Sequence, residues 1–453
     1  MAQSNSTAKQ AASSMKKLSF FSIFLLGING IIGSGTFLLP QQIYQDAGVM
    51  WGLLCIIAAG ISTLLIALCY ADLSGRFSES GGAWLYSYHA YGKFVGFEVG
   101  FFMWFAGVVS ISAEIAALIR IFKNMIPSLS NQWISLGFGI GFIVLLGIIN
   151  LFGVNSVKFV SNLSSGLKLL TVAIFIIVGA FFLKAANFSP LVPETMHSSG
   201  GLFKSVSSTY SVVFYMFTGF SFLPIAARKM NNPQKNLPKA LVTIMLSVMT
   251  IYVVVQALAI GVLGAGLAKT TIPVAEAMRH MLGSWGYYVI IAGSTISTFG
   301  VAFASSFDVP IIASSLSDEH HLLPKFFGKT NRYDAPYISI LLTVVISSLL
   351  LLTGSYVFLA TCMVCANFVQ YIPTILATMK FHNNKEFPTQ GFHLPGGYTI
   401  PILALIGSMY LLVGFNFKVI LVAVSVFIVG VIIYLAEAKF DRTPVSPVSP
   451  KKE

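Results

Sequence analysis

The chain has 453 residues, 56% of them hydrophobic and 9% charged, with a mean hydropathy of +0.83. That composition excludes a soluble globular domain. A net charge of +12 would suggest nucleic acid in a soluble protein, but in a membrane chain it reports orientation, so no nucleic-acid partner is expected.

In chain order, residues 1–19 read as a polar cytoplasmic tail. The first apolar run, 20–42, has no small-residue cleavage site and further spans follow at once, so it is not a signal peptide. Gly30-Ile31-Ile32-Gly33-Ser34-Gly35 interrupts it. Backbone polar groups at membrane depth must be paired, so such a break survives only inside protein or beside a wet cavity. Eleven more spans are predicted over 50–72, 94–119, 133–152, 165–184, 206–226, 240–264, 286–314, 336–353, 356–379, 398–415 and 417–437. The Pro/Ser-rich end, within 438–453, reads as a disordered cytoplasmic tail, and no signalling domain is expected. With both termini inside, nineteen Lys/Arg fall on the cytoplasmic side, seven on the outer side, and Lys168 alone within a span. This obeys the positive-inside rule.

The break in the first span has chemistry. The half-helix that begins near Ser34 exposes unpaired amides and a positive dipole end, which suit a carboxylate. The half-helix that ends near Ile31 offers free carbonyls, which suit an ammonium group. The alternative is that the small residues permit close helix packing. The sixth span carries a second interruption at Thr218-Gly219, in an aromatic run where Tyr215, Phe217 and Phe220 flank it. Paired breaks in two halves of a chain point to a transporter's substrate site, although each aromatic also fits plain core filling.

Several motifs in order then carry a resemblance over nearly the whole chain. GSGTFLLP follows the first break, SGGAWLYSYHAYGKFVGF starts at Ser80, NNPQKNLPKA starts at Asn231, and LLPKFF and FHLPGGYTIPIL follow later. Together they resemble the amino acid–polyamine–organocation superfamily of amino-acid permeases. The resemblance implies an all-α membrane protein of twelve helices. Its five-plus-five inverted repeats would occupy 20–184 and 205–379, with two added helices at 398–437. It also implies alternating access to a central amino-acid site. Gly33, Ser34 and Gly35 match the carboxylate-binding turn, Ile31 an amino-group carbonyl, Thr218 beside Gly219 a second carbonyl, and Tyr215 an aromatic gate where relatives carry Trp or Phe.

Lys168 in SSGLKLLTVAIF is a charge inside a span, a functional candidate by default. The bland alternative is snorkelling to the surface. The resemblance places its ammonium where sodium sits in sodium-coupled cousins, with Ser305 or Ser306 as its partner on the eighth span. That implies sodium-independent transport, with protons as a possible coupling partner. Glu114, expected near the outer end of the third span, is either part of a proton path or a structural pair. Asp308 shares a helix face with Ser305 and either neutralises Lys168, selects a cationic substrate, or faces an inner vestibule. Asp72 is expected to be a cytoplasmic-side charge without a substrate role.

Arg228 and Lys229 stand where relatives show acidic residues, and no arginine stands near Ile312, so the family's inner-gate salt bridges do not carry over. The seven histidines, with the His320-His321 pair, lack the spacing of a metalloenzyme motif such as HExxH, and Cys362-x-x-Cys365 is a lone pair. No enzyme activity, metal, cofactor or obligate protein partner is expected. The reading is a plasma-membrane amino-acid transporter in contact with lipid, with neutral amino acids favoured. The alternatives are a cationic amino-acid or amine antiporter and a non-transporting sensor.

Overall fold

The computed structural model describes residues 19–77, 81–152, 157–192, 199–318, 322–389 and 392–440, without the side chains of 157–161, 199–200, 225–229, 233–234, 318 and 438–440. Both tails, His197, the His320-His321 pair and the start of the Ser80 stretch lie outside the described residues, as do the Arg228 and Lys229 side chains.

Hydrocarbon offers no partner to a bare amide, so the apolar runs pair their backbones internally as helices. These are α1 (Phe20–Ile31), α2 (Gly35–Leu38), α3 (Pro40–Ala47), α4 (Met50–Arg76), α5 (Ala83–Tyr91), α6 (Lys93–Lys123), α7 (Gln132–Leu151) and α8 (Val157–Phe182). There follow α9 (Ser199–Met216), α10 (Pro233–Leu263), α11 (Pro273–Asp318), α12 (Tyr337–Leu351), α13 (Tyr356–Phe381), α14 (Thr399–Gly414) and α15 (Phe417–Phe440). Among the described residues there is no β-strand, and nine helices are long and apolar enough to cross a membrane. The chain is a multi-pass integral membrane protein. The predicted first, ninth and eleventh spans contain the shorter apolar helices α1, α12 and α14, of 12, 15 and 16 residues. A full crossing takes about 20.

Two features differ from the sequence reading. The Ser80 stretch holds a separate buried helix, α5. α11 begins well before the predicted eighth span, and its early part is kinked where Gly283 takes a φ of +70°.

The core is organised around α6, whose apolar stretch is wholly buried, while only 11% of the corresponding stretch of α15 is buried. α6 packs on α11, α13 and α5, α11 packs on α8, and α10 packs on α4 and α1. Gly100 and Gly107 let α6 approach Leu316 and Val309 of α11, as small residues do between membrane helices.

Two polar groups in the bundle are paired across helices. Pro310 has no amide to offer Ser306 O inside α11, and Asn150 Nδ2 of α7 donates to that carbonyl instead, at 2.5 Å. At the end of α4, Arg76 Nε donates to Asp72 at 2.8 Å. Its Nη1 reaches Phe381 O and Phe387 O at 2.8 and 3.0 Å, while Asp72 accepts from the Leu394 amide at 3.3 Å. The Asp72 carboxylate thus joins α4 to the α13–α14 connection.

Candidate functional site

The first break falls where the sequence places it. α1 ends at Ile31, Ile32 is extended (φ −78°, ψ 98°), and Ser34 O accepts the first amides of α2 from Phe37 and Leu38 at 3.1 and 3.0 Å. The second break follows Met216. Phe217 and Thr218 turn back on Phe214 O and Tyr215 O, and Gly219 takes a φ of +106°. The two breaks touch: a Cβ on Gly219 would overlap the carbonyl oxygen of Gly30. Only glycine allows both that φ and that approach.

The carbonyl side of the first break is held by two side chains. Lys168, fully buried, donates from Nζ to Asn29 O at 3.2 Å and to Ile32 O at 2.6 Å. Ser297 Oγ of α11 also donates to Ile32 O, at 3.3 Å. Tyr252 Oη of α10 lies 3.2 Å from Ile31 O and 2.8 Å from Met216 O, so one hydroxyl bridges both broken helices. A buried ammonium is tolerable here because carbonyl dipoles at a helix end face it.

The amide side is held by a carboxylate. Ser34 N–H donates to Glu114 Oε2 and Oε1 at 3.3 and 3.5 Å, and Tyr215 Oη donates to Oε1 at 3.0 Å. Ser34 Oγ donates to Tyr356 Oη at 3.0 Å, and the Tyr356 ring stands edge-on to Tyr215, 6.0 Å between centroids. Gly33 lets the carboxylate in, since a Cβ there would lie 2.6 Å from Glu114 Oε1. Thr218 Oγ1 donates to Tyr215 O at 2.7 Å. Gly33, Glu114, Tyr215 and Thr218 line a tight cavity of about 20 Å³, room for about one water molecule, whose other walls include Ile31, Met216, Val301 and Met363.

The sequence of a family described as amino acid permease matches residues 18–437 of the chain. The chain belongs to that family. The permease is an amino-acid transporter of the amino acid–polyamine–organocation superfamily. It is 27% identical over 430 residues to an uncharacterized transporter of Mycobacterium tuberculosis, covering 89% of this chain and 88% of the relative. It is 25% identical over 440 residues to the branched-chain amino acid permease BcaP of Bacillus subtilis, covering 92% of each. It is 24% identical over 452 residues to an arginine/agmatine antiporter of Chlamydia abortus, covering 94% and 91%.

In this permease Ile31, Gly33, Gly35, Glu114, Tyr215 and Thr218 line one cavity, Ser34 meets it through Glu114, and Lys168 and Gly219 stand behind the two breaks. Ser305 and Ser306 are not brought to Lys168. Ser306 Oγ turns back to Phe303 O at 2.7 Å, and the α11 hydroxyl that shares Ile32 O with Lys168 belongs to Ser297. Eight residues of helix separate Ser297 from Ser305, about 12 Å. Asp308 is exposed and Ser305 half-buried. Sequence reasoning missed Tyr252, Tyr356 and Ser297. A tyrosine in an apolar run such as IYVVVQALAI carries one available signal: a buried hydroxyl needs a partner.

Proposed function

We propose that this permease is a sodium-independent secondary transporter of neutral amino acids, working by alternating access with proton symport or exchange. The observation that carries the reading is Lys168. Its ammonium sits on Asn29 O and Ile32 O, supplying a fixed positive charge at the broken helix where a sodium-coupled carrier would bind its ion. Ser34 N–H and the α2 dipole suit the substrate carboxylate. That subsite is taken by the Glu114 carboxylate, so a zwitterion enters by exchange, Glu114 withdrawing or accepting a proton. Ile31, Met216, Val301 and Met363 are the apolar neighbours of that subsite, which suits a neutral side chain once the cavity opens.

The wider architecture follows the same proposal: repeats at 20–184 and 205–379, two added helices at 398–437, and a plasma-membrane location with both ends cytoplasmic. Exposed Trp133, Trp285 and Phe181 stand at the ends that the charge bias puts outside, as interfacial aromatics do.

One observation favours a second reading. Glu114 is a carboxylate on the cavity wall, and the Chlamydia relative is named an arginine/agmatine antiporter. A cationic amino acid or an amine would pair with it. Uptake into proteoliposomes decides. Neutral aliphatic amino acids should saturate without sodium. Competition by amines alone would favour the antiporter, and absence of saturable uptake or exchange would leave the sensor.

A further inference from the structure

We propose that Arg120 is a latch that closes the outer end of the substrate path, a role that rests on the transport reading above. Arg120 stands in the last turn of α6, beside α3 and the 264–271 segment that leads into α11. Its Nη2 donates to Gln41 Oε1 at 2.7 Å and its Nε to Thr271 O at 2.9 Å. Gln41 and Gln45, one turn apart on α3, donate to Ala268 O at 3.5 and 2.5 Å. Thr271 Oγ1 donates back to Asn124 Oδ1 at 3.3 Å. One guanidinium therefore ties α6, α3 and the α10–α11 connection together.

The tie reaches the site through the backbone. Leu39, between α2 and α3, is helical (φ −83°, ψ −18°), so the two run on as one rod whose first turn carries Ser34 and Gly35. Holding Gln41 fixes the tilt of the rod that presents the anion subsite.

Its surroundings suit a reversible contact. Arg120 and Gln41 are half-buried, and Gln45 and Thr271 are exposed. Each acceptor is a neutral oxygen that water can replace, so opening strands no buried charge. The Asp72–Arg76 pair at the other end of the bundle is buried and would lose its partners outright if parted.

The test uses the full-length protein in cells, with Cys55, Cys69, Cys362 and Cys365 replaced by alanine and Leu38→Cys as reporter. Leu38 is buried one turn inward of Gln41 on the same rod. A membrane-impermeant maleimide is added outside and its labelling rate followed. Losing one charge-assisted bond shifts a two-state population by roughly tenfold, so Arg120→Ala should raise the rate by about that factor. Gln41→Ala, a milder surface change, should raise it too, and the double variant should not exceed Arg120→Ala. External KM should fall with opening. Unchanged labelling in both single variants, with uptake intact, would overturn the latch and leave transport standing. Absence of uptake by the unmodified protein would sink the transport reading, whatever the labelling.

Discussion

Gly219→Ala is the sharpest perturbation of the paired breaks. Gly219 has a φ of +106°, and a Cβ there would lie 3.0 Å from the Gly30 carbonyl carbon and closer still to its oxygen. Both neighbours are backbone, so neither can rotate away. Backbone strain of this kind costs about 1–3 kcal/mol, and forced overpacking costs roughly another 1–3 kcal/mol. The sum, about 2–6 kcal/mol, is a large part of a protein's margin. The crossing is asymmetric. A Cβ on Gly30 would be 3.9 Å from Gly219 O, an ordinary contact, so Gly30→Ala should be mild. Gly137→Ala, whose Cβ meets nothing within 4 Å, should gain up to about 1 kcal/mol from helix propensity. Thermal unfolding of purified protein in detergent and uptake kinetics of the three variants form the assay. Equal midpoints and equal KM for Gly219→Ala and the parent would refute the contact between the breaks.

Four further outcomes follow from the site. Lys168→Met removes the ammonium's hydrogen bonds to Asn29 O and Ile32 O, each worth about 1.5–3 kcal/mol, although Ile32 O keeps Ser297 Oγ. Uptake should collapse and added sodium should not restore it, as a sodium titration would show. Glu114→Gln keeps an acceptor for Tyr215 and Ser34 but removes the charge, so uptake should lose most of its dependence on external pH. An unaltered pH profile would take Glu114 out of the coupling. Tyr356→Phe removes the acceptor of Ser34 Oγ, and one such bond is worth about 1 kcal/mol, so substrate KM should rise roughly fivefold. Asp308→Asn should leave neutral uptake unchanged, since Asp308 is exposed rather than on the cavity wall. A selective loss of lysine or arginine transport would restore it as a selector.

What could be read from the chain was local. Glycines at membrane depth announced both breaks, and a lone lysine in an apolar run announced a buried charge. Partners contributed by distant helices were not legible. Tyr252 and Tyr356 lie 221 and 322 residues from the atoms they meet on the first broken helix, and nothing in their own segments names Ile31 or Ser34. Ser297 stands in a stretch as rich in Ser and Thr as the SS pair of AFASSFD two turns further on, and sequence alone does not tell them apart. The apolar run around Glu114 fades near 119 in the sequence. α6 instead continues to Lys123, where Arg120 and Lys123 suit the negative end of its dipole.

The broken helix also gains a different meaning from its partners. Bare helix ends at membrane depth would cost several kcal/mol per unpaired group. Lys168, Ser297 and Tyr252 satisfy the carbonyl end, and Glu114 satisfies the amide end. A break paired by the protein's own groups needs no substrate to survive in the bilayer. Substrate then has to replace one set of hydrogen bonds with another, so its net gain per contact is small. A carrier benefits from that balance, because a ligand held by exchange is also released by exchange. On the proposed reading the member that exchanges is Glu114, a side chain against a backbone amide. Lys168, closed in on all sides and bound to two carbonyls, does not exchange. The site divides, on that reading, into a fixed cation, Lys168, that maintains the break and an anion, Glu114, that yields to substrate.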